Sequence, residues 1–154
     1  ERTKAPGSVV VATLEGSRPL LVEVQALTVS THMPVPRRVG NGVNTNRLTM
    51  LVAILQKHLR VPLGQFDIYV NVASGIKIFE PAVDLGICLS IISSFKNKPL
   101  PERTVAIGEV GLLGEIRNVI GLDRRIKEAK KLGFSTIVSP REYSGIEKIV
   151  RALV

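Results

Sequence analysis

Cysteine is nearly missing from this chain: Cys88 stands alone among 154 residues. A single thiol can form neither an internal disulfide nor a thiolate zinc cluster. The expected compartment is the reducing cytoplasm. Cys88 lies in an apolar stretch and reads as a small buried hydrophobe. Tryptophan is absent and aromatic residues make up only 4%. Branched aliphatics must therefore fill the core, and stacking platforms for bases are poorly provided for. The two histidines, His32 and His58, are far apart and match no zinc spacing, so no metal site is expected. No GxxxxGK[ST] run cradles a phosphate, and Gly108, Gly111 and Gly114 read as turn glycines. No cofactor is expected on this chain. No apolar run is long enough for a membrane helix, no secretory leader is visible, and no membrane partner is expected. Acid is missing too, since no Asp or Glu occurs between Val24 and Phe66.

Against these absences stand a hydrophobic fraction of 45% and a net charge of +8. The first supplies one domain with a sizeable core. The second points to phosphate-bearing partners. The acid-free window holds Arg37, Arg38, Arg47, Lys57 and Arg60, and Arg37-Arg38 adjoins the flexible Gly40-Asn41-Gly42. Arginine donates bidentate hydrogen bonds to phosphate oxygens, so Arg37, Arg38 and Arg47 are the leading candidates for phosphate contact, followed by Lys77 and Arg124. A second basic cluster, Arg117, Arg124, Arg125, Lys127, Lys130 and Lys131, reads mainly as a solvated face. Contacts without aromatic interleaving should fall on backbone phosphates and be sensitive to salt.

The patterning predicts a β-hairpin from residues 8–14 and 20–29 around Glu15-Gly16-Ser17, because Val22, Val24 and Ala26 alternate with Glu23 and Gln25. Residues 31–45 read as a loop. Leu48, Leu51, Val52 and Leu55 form one stripe of a helix over 46–59, with Asn44 or Thr45 as its cap. Strands are predicted over 66–73, 76–79, 104–107, 113–119 and 135–139. A buried helix is predicted over 81–94, opened by Pro81, with Gly86 marking close approach of a neighbour. A third helix should span 122–132 and stop at Gly133. A fourth should begin at Ser144-Gly145-Ile146-Glu147, a capping-box pattern. The order implies an α/β sandwich of α+β type with a mixed sheet.

Nucleophilic chemistry is weakly signalled. Ser74, Ser90, Ser93 and Ser94 accompany many lysines, a coincidence common in any protein. Asp84, in an otherwise apolar helix, fits the positive end of the helix dipole, or alternatively an ion pair with Lys77 or Arg124.

Several long motifs together resemble the C-terminal domain of the RadA/Sms family of bacterial recombination proteins. They are APGSVVVATLEGSRPLLVEVQAL from Ala5, PVPRRVGNGVNTNRL from Pro34, DIYVNVASG from Asp67, EPAVDL from Glu80 and GEVGLLGEIR from Gly108. The resemblance covers essentially the whole chain. It implies a Lon proteolytic-domain-like fold, a ribosomal-protein-type sandwich, over 8–154. Residues 1–7 would then be a linker from an N-terminal ATPase part. Where Lon proteases carry the nucleophilic serine and the lysine base, this chain has Ala82 and Asp123. Catalytic residues are therefore expected to be absent and proteolysis lost. The resemblance further implies a hexameric homo-oligomer, contact with single-stranded DNA, a recombinase partner, and a cytoplasmic, nucleoid-associated site of action. It places ATP, magnesium and zinc in the parent protein rather than in this segment. A divergent Lon-like serine peptidase and a purely structural scaffold are the rival readings.

Overall fold

The computed structural model describes residues 5–154, so the expected linker falls partly outside the described residues. The chain opens with β1 (Ser8–Glu15) and β2 (Arg18–Ser30), paired antiparallel with Val11 opposite Val22. Gly16, at φ 63°, makes the turn between them. Then come β3 (Arg38–Asn41), α1 (Thr45–Leu59) and β4 (Phe66–Val72). A 3₁₀ turn at Pro81–Val83 leads into α2 (Asp84–Lys96). Next are β5 (Thr104–Ala106) and a small hairpin of β6 (Glu109–Val110) and β7 (Ile116–Arg117). The chain ends with α3 (Leu122–Lys131), β8 (Thr136–Val138) and α4 (Ile146–Leu153).

Six strands form one mixed sheet in the order β3-β4-β2-β1-β5-β8, parallel at β3/β4, β1/β5 and β5/β8 and antiparallel at the other two pairings. The two-residue period of a strand sorts its side chains between faces. In β1, Val9 and Val11 join α1, α2 and α4 in the main core, while Val10 and Ala12 join α3 in a second, smaller one. This double burial explains the near-continuous Val run of β1. Beyond Leu21, which packs against the smaller core, strands β2, β4 and β3 bury one face only. Their other face carries Gln25, Leu27, Tyr69, Asn71, Val39 and Asn41 around an open hollow. The α/β class and the mixed sheet are as the patterning implies.

Helix α2 is central. Its residues Leu85, Ile87, Cys88, Leu89, Ile91 and Ile92 are all buried. A Cβ on Gly86 would stand 2.1 Å from Val11 Cγ1, so glycine is what lets α2 approach β1 so closely. Helix α1 is capped by Asn44, whose side chain accepts the Arg47 N–H at 2.9 Å.

Several expectations change. The loop over 31–45 contains β3, a four-residue edge strand whose signal is diluted by Pro36 and Gly40. Residues 76–79 form no strand, although Ile78 N–H donates to Gly42 O at 2.7 Å. Over 113–119 only Ile116–Arg117 forms a strand, with one isolated bridge from Glu115 to Gly145, because Leu112 and Leu113 are spent on the tip of the β6–β7 hairpin. The capping box does not form. Gly145 occupies the N-cap without a side-chain bond, and Glu147 pairs with Arg151 instead.

Candidate nucleic-acid interface

The segment from Glu80 to Asp84 joins the sheet to α2, and Pro81 starts its turn with φ already fixed for it. An arginine from each basic cluster reaches one of its two carboxylates. Glu80 receives Arg125 in a bidentate pair, Nη1 at 3.0 Å and Nη2 at 2.7 Å. It also accepts the Thr13 hydroxyl at 2.6 Å and the Leu14 N–H at 2.8 Å. Arg125 is only 1% exposed and donates further to Ala12 O and Ile120 O at 2.7 and 3.0 Å. Burial alone would push the Glu80 carboxyl up, but the bonds from Arg125, Thr13 and Leu14 outweigh it and hold the carboxyl below its ordinary value.

Asp84 is 1% exposed. It pairs with Arg47 through both carboxylate oxygens and accepts the Val110 N–H at 3.1 Å. Arg47 also donates to Val110 O at 3.0 Å. Burial pushes the Asp84 carboxyl up, against the pull of Arg47 and Val110. Neither expected partner, Lys77 or Arg124, reaches Asp84. Helix α1 lies against α2 and delivers Arg47, whereas Lys77 and Arg124 sit on other elements. Arg125 likewise leaves the solvated face on which its cluster was placed. The signal was in the sequence: Leu122, Arg125, Ile126 and Ala129 occupy one helical stripe, and all four are buried. The Glu80–Arg125 pair was missed because nothing in the spacing links residues so far apart.

Between these pairs lies Ala82, 2% exposed, the position that resemblance aligns with a nucleophile. Asp123, aligned with the base, is on the exposed face of α3 in an ion pair with Arg141. The helix serines are occupied. Ser90 donates to Ile87 O, Ser93 donates to Lys98 O and accepts Gly7 N–H, and Ser94 accepts Thr28 N–H. Ser74 is exposed at φ 63° in the loop after β4. Burial pushes the Cys88 thiol far above the range where it would ionise. Among the described residues, no group of three His, Cys, Asp or Glu side chains gathers as a metal ion would need.

The structure separates the five candidate DNA contacts. Arg37 is exposed, and its N–H donates to Asp67 at 2.7 Å. Arg38 is half-buried and donates to Leu63 O and Phe66 O at 3.1 and 2.6 Å. Both lie where β4 begins. Lys77 follows the far end of β4, and Arg124 donates to Ser17 O at the turn of the first hairpin. The seven residues of β4 at ~3.3 Å each put about 20 Å between these ends. Arg47 faces inward to Asp84. Beside it a cleft of ≈390 Å³ is lined by Met50, Ile78, Phe79 and Ile87 among others, with Phe79 64% exposed.

The chain is 49% identical over 139 residues to DNA repair protein RadA of Halalkalibacterium halodurans, covering 90% of this chain and 30% of that protein. It is 49% identical over 135 residues to its namesake in Pseudomonas aeruginosa, covering 88% and 30%. For Bacillus subtilis the identity is 46% over 134 residues, covering 87% and 29%. The chain thus spans about 30% of the length of the curated relatives it matches. Its residues 39–143 match the family model described as subunit ChlI of Mg-chelatase, and the chain belongs to that family.

Proposed function

We propose that this chain is a non-proteolytic, Lon-like part of a RadA-type DNA-repair ATPase, and that it serves ring assembly and contact with the DNA backbone. The observation that carries the reading is the likeness to proteins named DNA repair protein RadA over about 90% of the chain. The net charge of +8 supports phosphate contact. The Ala82 position supports the loss of peptidase chemistry, since an alanine offers no nucleophile and it is itself buried at 2% exposure.

In this reading ATP, magnesium and zinc belong to the remainder of the longer protein, which works in the cytoplasm beside a recombinase as a hexamer on single-stranded DNA. Exposed Phe79, Leu112, Leu113 and Ile120 supply apolar surface of the kind that assembly covers. Arg37, Arg38, Lys77 and Arg124 remain the proposed phosphate contacts. Arg47 can contribute only with the fraction of its guanidinium left by Asp84, its side chain being 32% exposed.

The test is anisotropy of labelled single-stranded DNA with this chain across a salt series, with sedimentation to record assembly. Affinity that falls steeply with salt is expected. An assembled ring that leaves DNA free would reduce the chain to a scaffold. Labelling of one serine by a serine-reactive probe, lost on its substitution, would restore the peptidase reading.

A further inference from the structure

The acid-free window is a feature of the linear sequence, but the fold gives part of it a shared location. Arg38, bound to Leu63 O and Phe66 O, ties the start of β3 to the segment that follows α1. Phe66 stacks edge-on against Phe95 with ring centroids 5.2 Å apart, which brings in the end of α2. There an open cleft of ≈690 Å³ is lined by Lys57, His58, Arg60, Lys96, Glu147 and Arg151, among others. It draws on the ends of α1 and α2 and on the outer turns of α4.

We propose that this cleft holds the phosphate backbone of a nucleic acid, with Lys57, Arg60, Lys96 and Arg151 as the contacts. The proposal rests on the nucleic-acid reading above and moves its centre to this end of the molecule. Cations at helix C-termini are ordinary, because each end carries about half a negative charge. Here the tally exceeds that need. The four cations face one carboxylate, Glu147, which is already paired with Arg151 at 3.2 Å. After the three helix ends and that carboxylate are offset, an excess of about one and a half positive charges remains.

The side chains of Lys57, Arg60, Lys96 and Arg151 are all exposed, and no Phe, Tyr or Trp lines the cleft. Long exposed cations around an open hollow suit a polyanion that runs through it better than one enclosed phosphate. They give attraction without base readout. Arg37, exposed beside Arg38, extends the track.

The test compares wild type, a K57A/R60G/K96A variant and a K127A/K130A/K131A control that removes equal charge from the exposed side of α3. Glycine is chosen at Arg60 because the backbone there has φ 56°. Each is titrated with a labelled single strand and a labelled duplex over a salt series, and thermal melting checks folding. The single variant K96E serves if the triple variant fails to fold. The expected result is a log–log salt slope smaller by about 0.7–0.9 per lost contact in the cleft variant, and an unchanged slope in the control. Equal slopes for wild type and cleft variant, or an equal loss in the control, would overturn the cleft while leaving the nucleic-acid reading intact. Absence of any binding by folded wild type would sink that reading and the cleft with it.

Discussion

The two arginine–carboxylate pairs at the ends of the Glu80–Asp84 segment are built in opposite ways. At Glu80 the cation is the buried partner: Arg125 has 1% of its side chain exposed and the carboxylate 28%. At Asp84 the carboxylate is buried at 1% and the cation keeps 32%. The carboxyl that keeps some water and gains four donated bonds is pulled below its ordinary value. The fully enclosed one is pushed above it despite its arginine. Position in the solvent gradient, rather than the identity of the partner, sets the sign. Each pair also withdraws one arginine from a basic cluster, so a count of cations in sequence overstates the cations available at the surface.

Removing the buried cation should have the largest effect. Arg125→Ala strands Glu80 and the Ala12 and Ile120 carbonyls. A loss of about 2–4 kcal/mol is expected, the lower half of the range reflecting the water Glu80 retains. Urea unfolding measures it, and a loss under ~1 kcal/mol would show that the pair is no lock. Arg47→Ala should cost less, about 1–3 kcal/mol, because Asp84 tolerates protonation and water can enter where the guanidinium stood. Equal losses for the two variants would contradict the asymmetry drawn here.

Packing offers an independent check on the same segment. Gly86→Ala drives a Cβ into the stiff, buried Val11. Overpacking at about 1–3 kcal/mol exceeds the gain in helix propensity of about 1 kcal/mol. A net fall in melting temperature is expected; a rise would mean that α2 can move off β1.

The carboxyls also predict opposite responses to acid. Glu80 is depressed on folding, so its contribution is present above its ordinary value of 4.5 and lost as pH falls through its folded value. Asp84 is raised, so its penalty is relieved as pH falls through its folded value toward its ordinary 3.8. Glu80→Gln should therefore flatten the acid limb of a stability–pH curve, and Asp84→Asn should steepen it. Parallel curves for both variants would remove the contrast. The smallest effect is expected on the surface of α3, where Lys130→Ala and Lys131→Ala should each change stability by no more than about 0.5 kcal/mol.

Much of the fold could be read directly because local chemistry and period agreed with it. The Val-rich first hairpin, the apolar stripe of α1, the Asn44 cap and the tight place of Gly86 all follow from short-range patterns. The strand β3 escaped because an edge strand of four residues needs only one neighbour and tolerates Pro and Gly beside it. The hairpin tip at Leu112-Leu113 escaped because exposed leucines imitate a strand.

By itself the sequence determined the class of fold and the depletion of acid between Val24 and Phe66. Those are properties of composition, period and residue identity, and no packing can alter them. Only the tertiary structure decided which arginines are spent inside and which remain outside. An ion pair between Arg125 and Glu80, or between Arg47 and Asp84, is a contact across elements, fixed by how α1 and α3 dock on either face of the sheet. The linear pattern carries a helix's facing, but not the identity of the charge it will face.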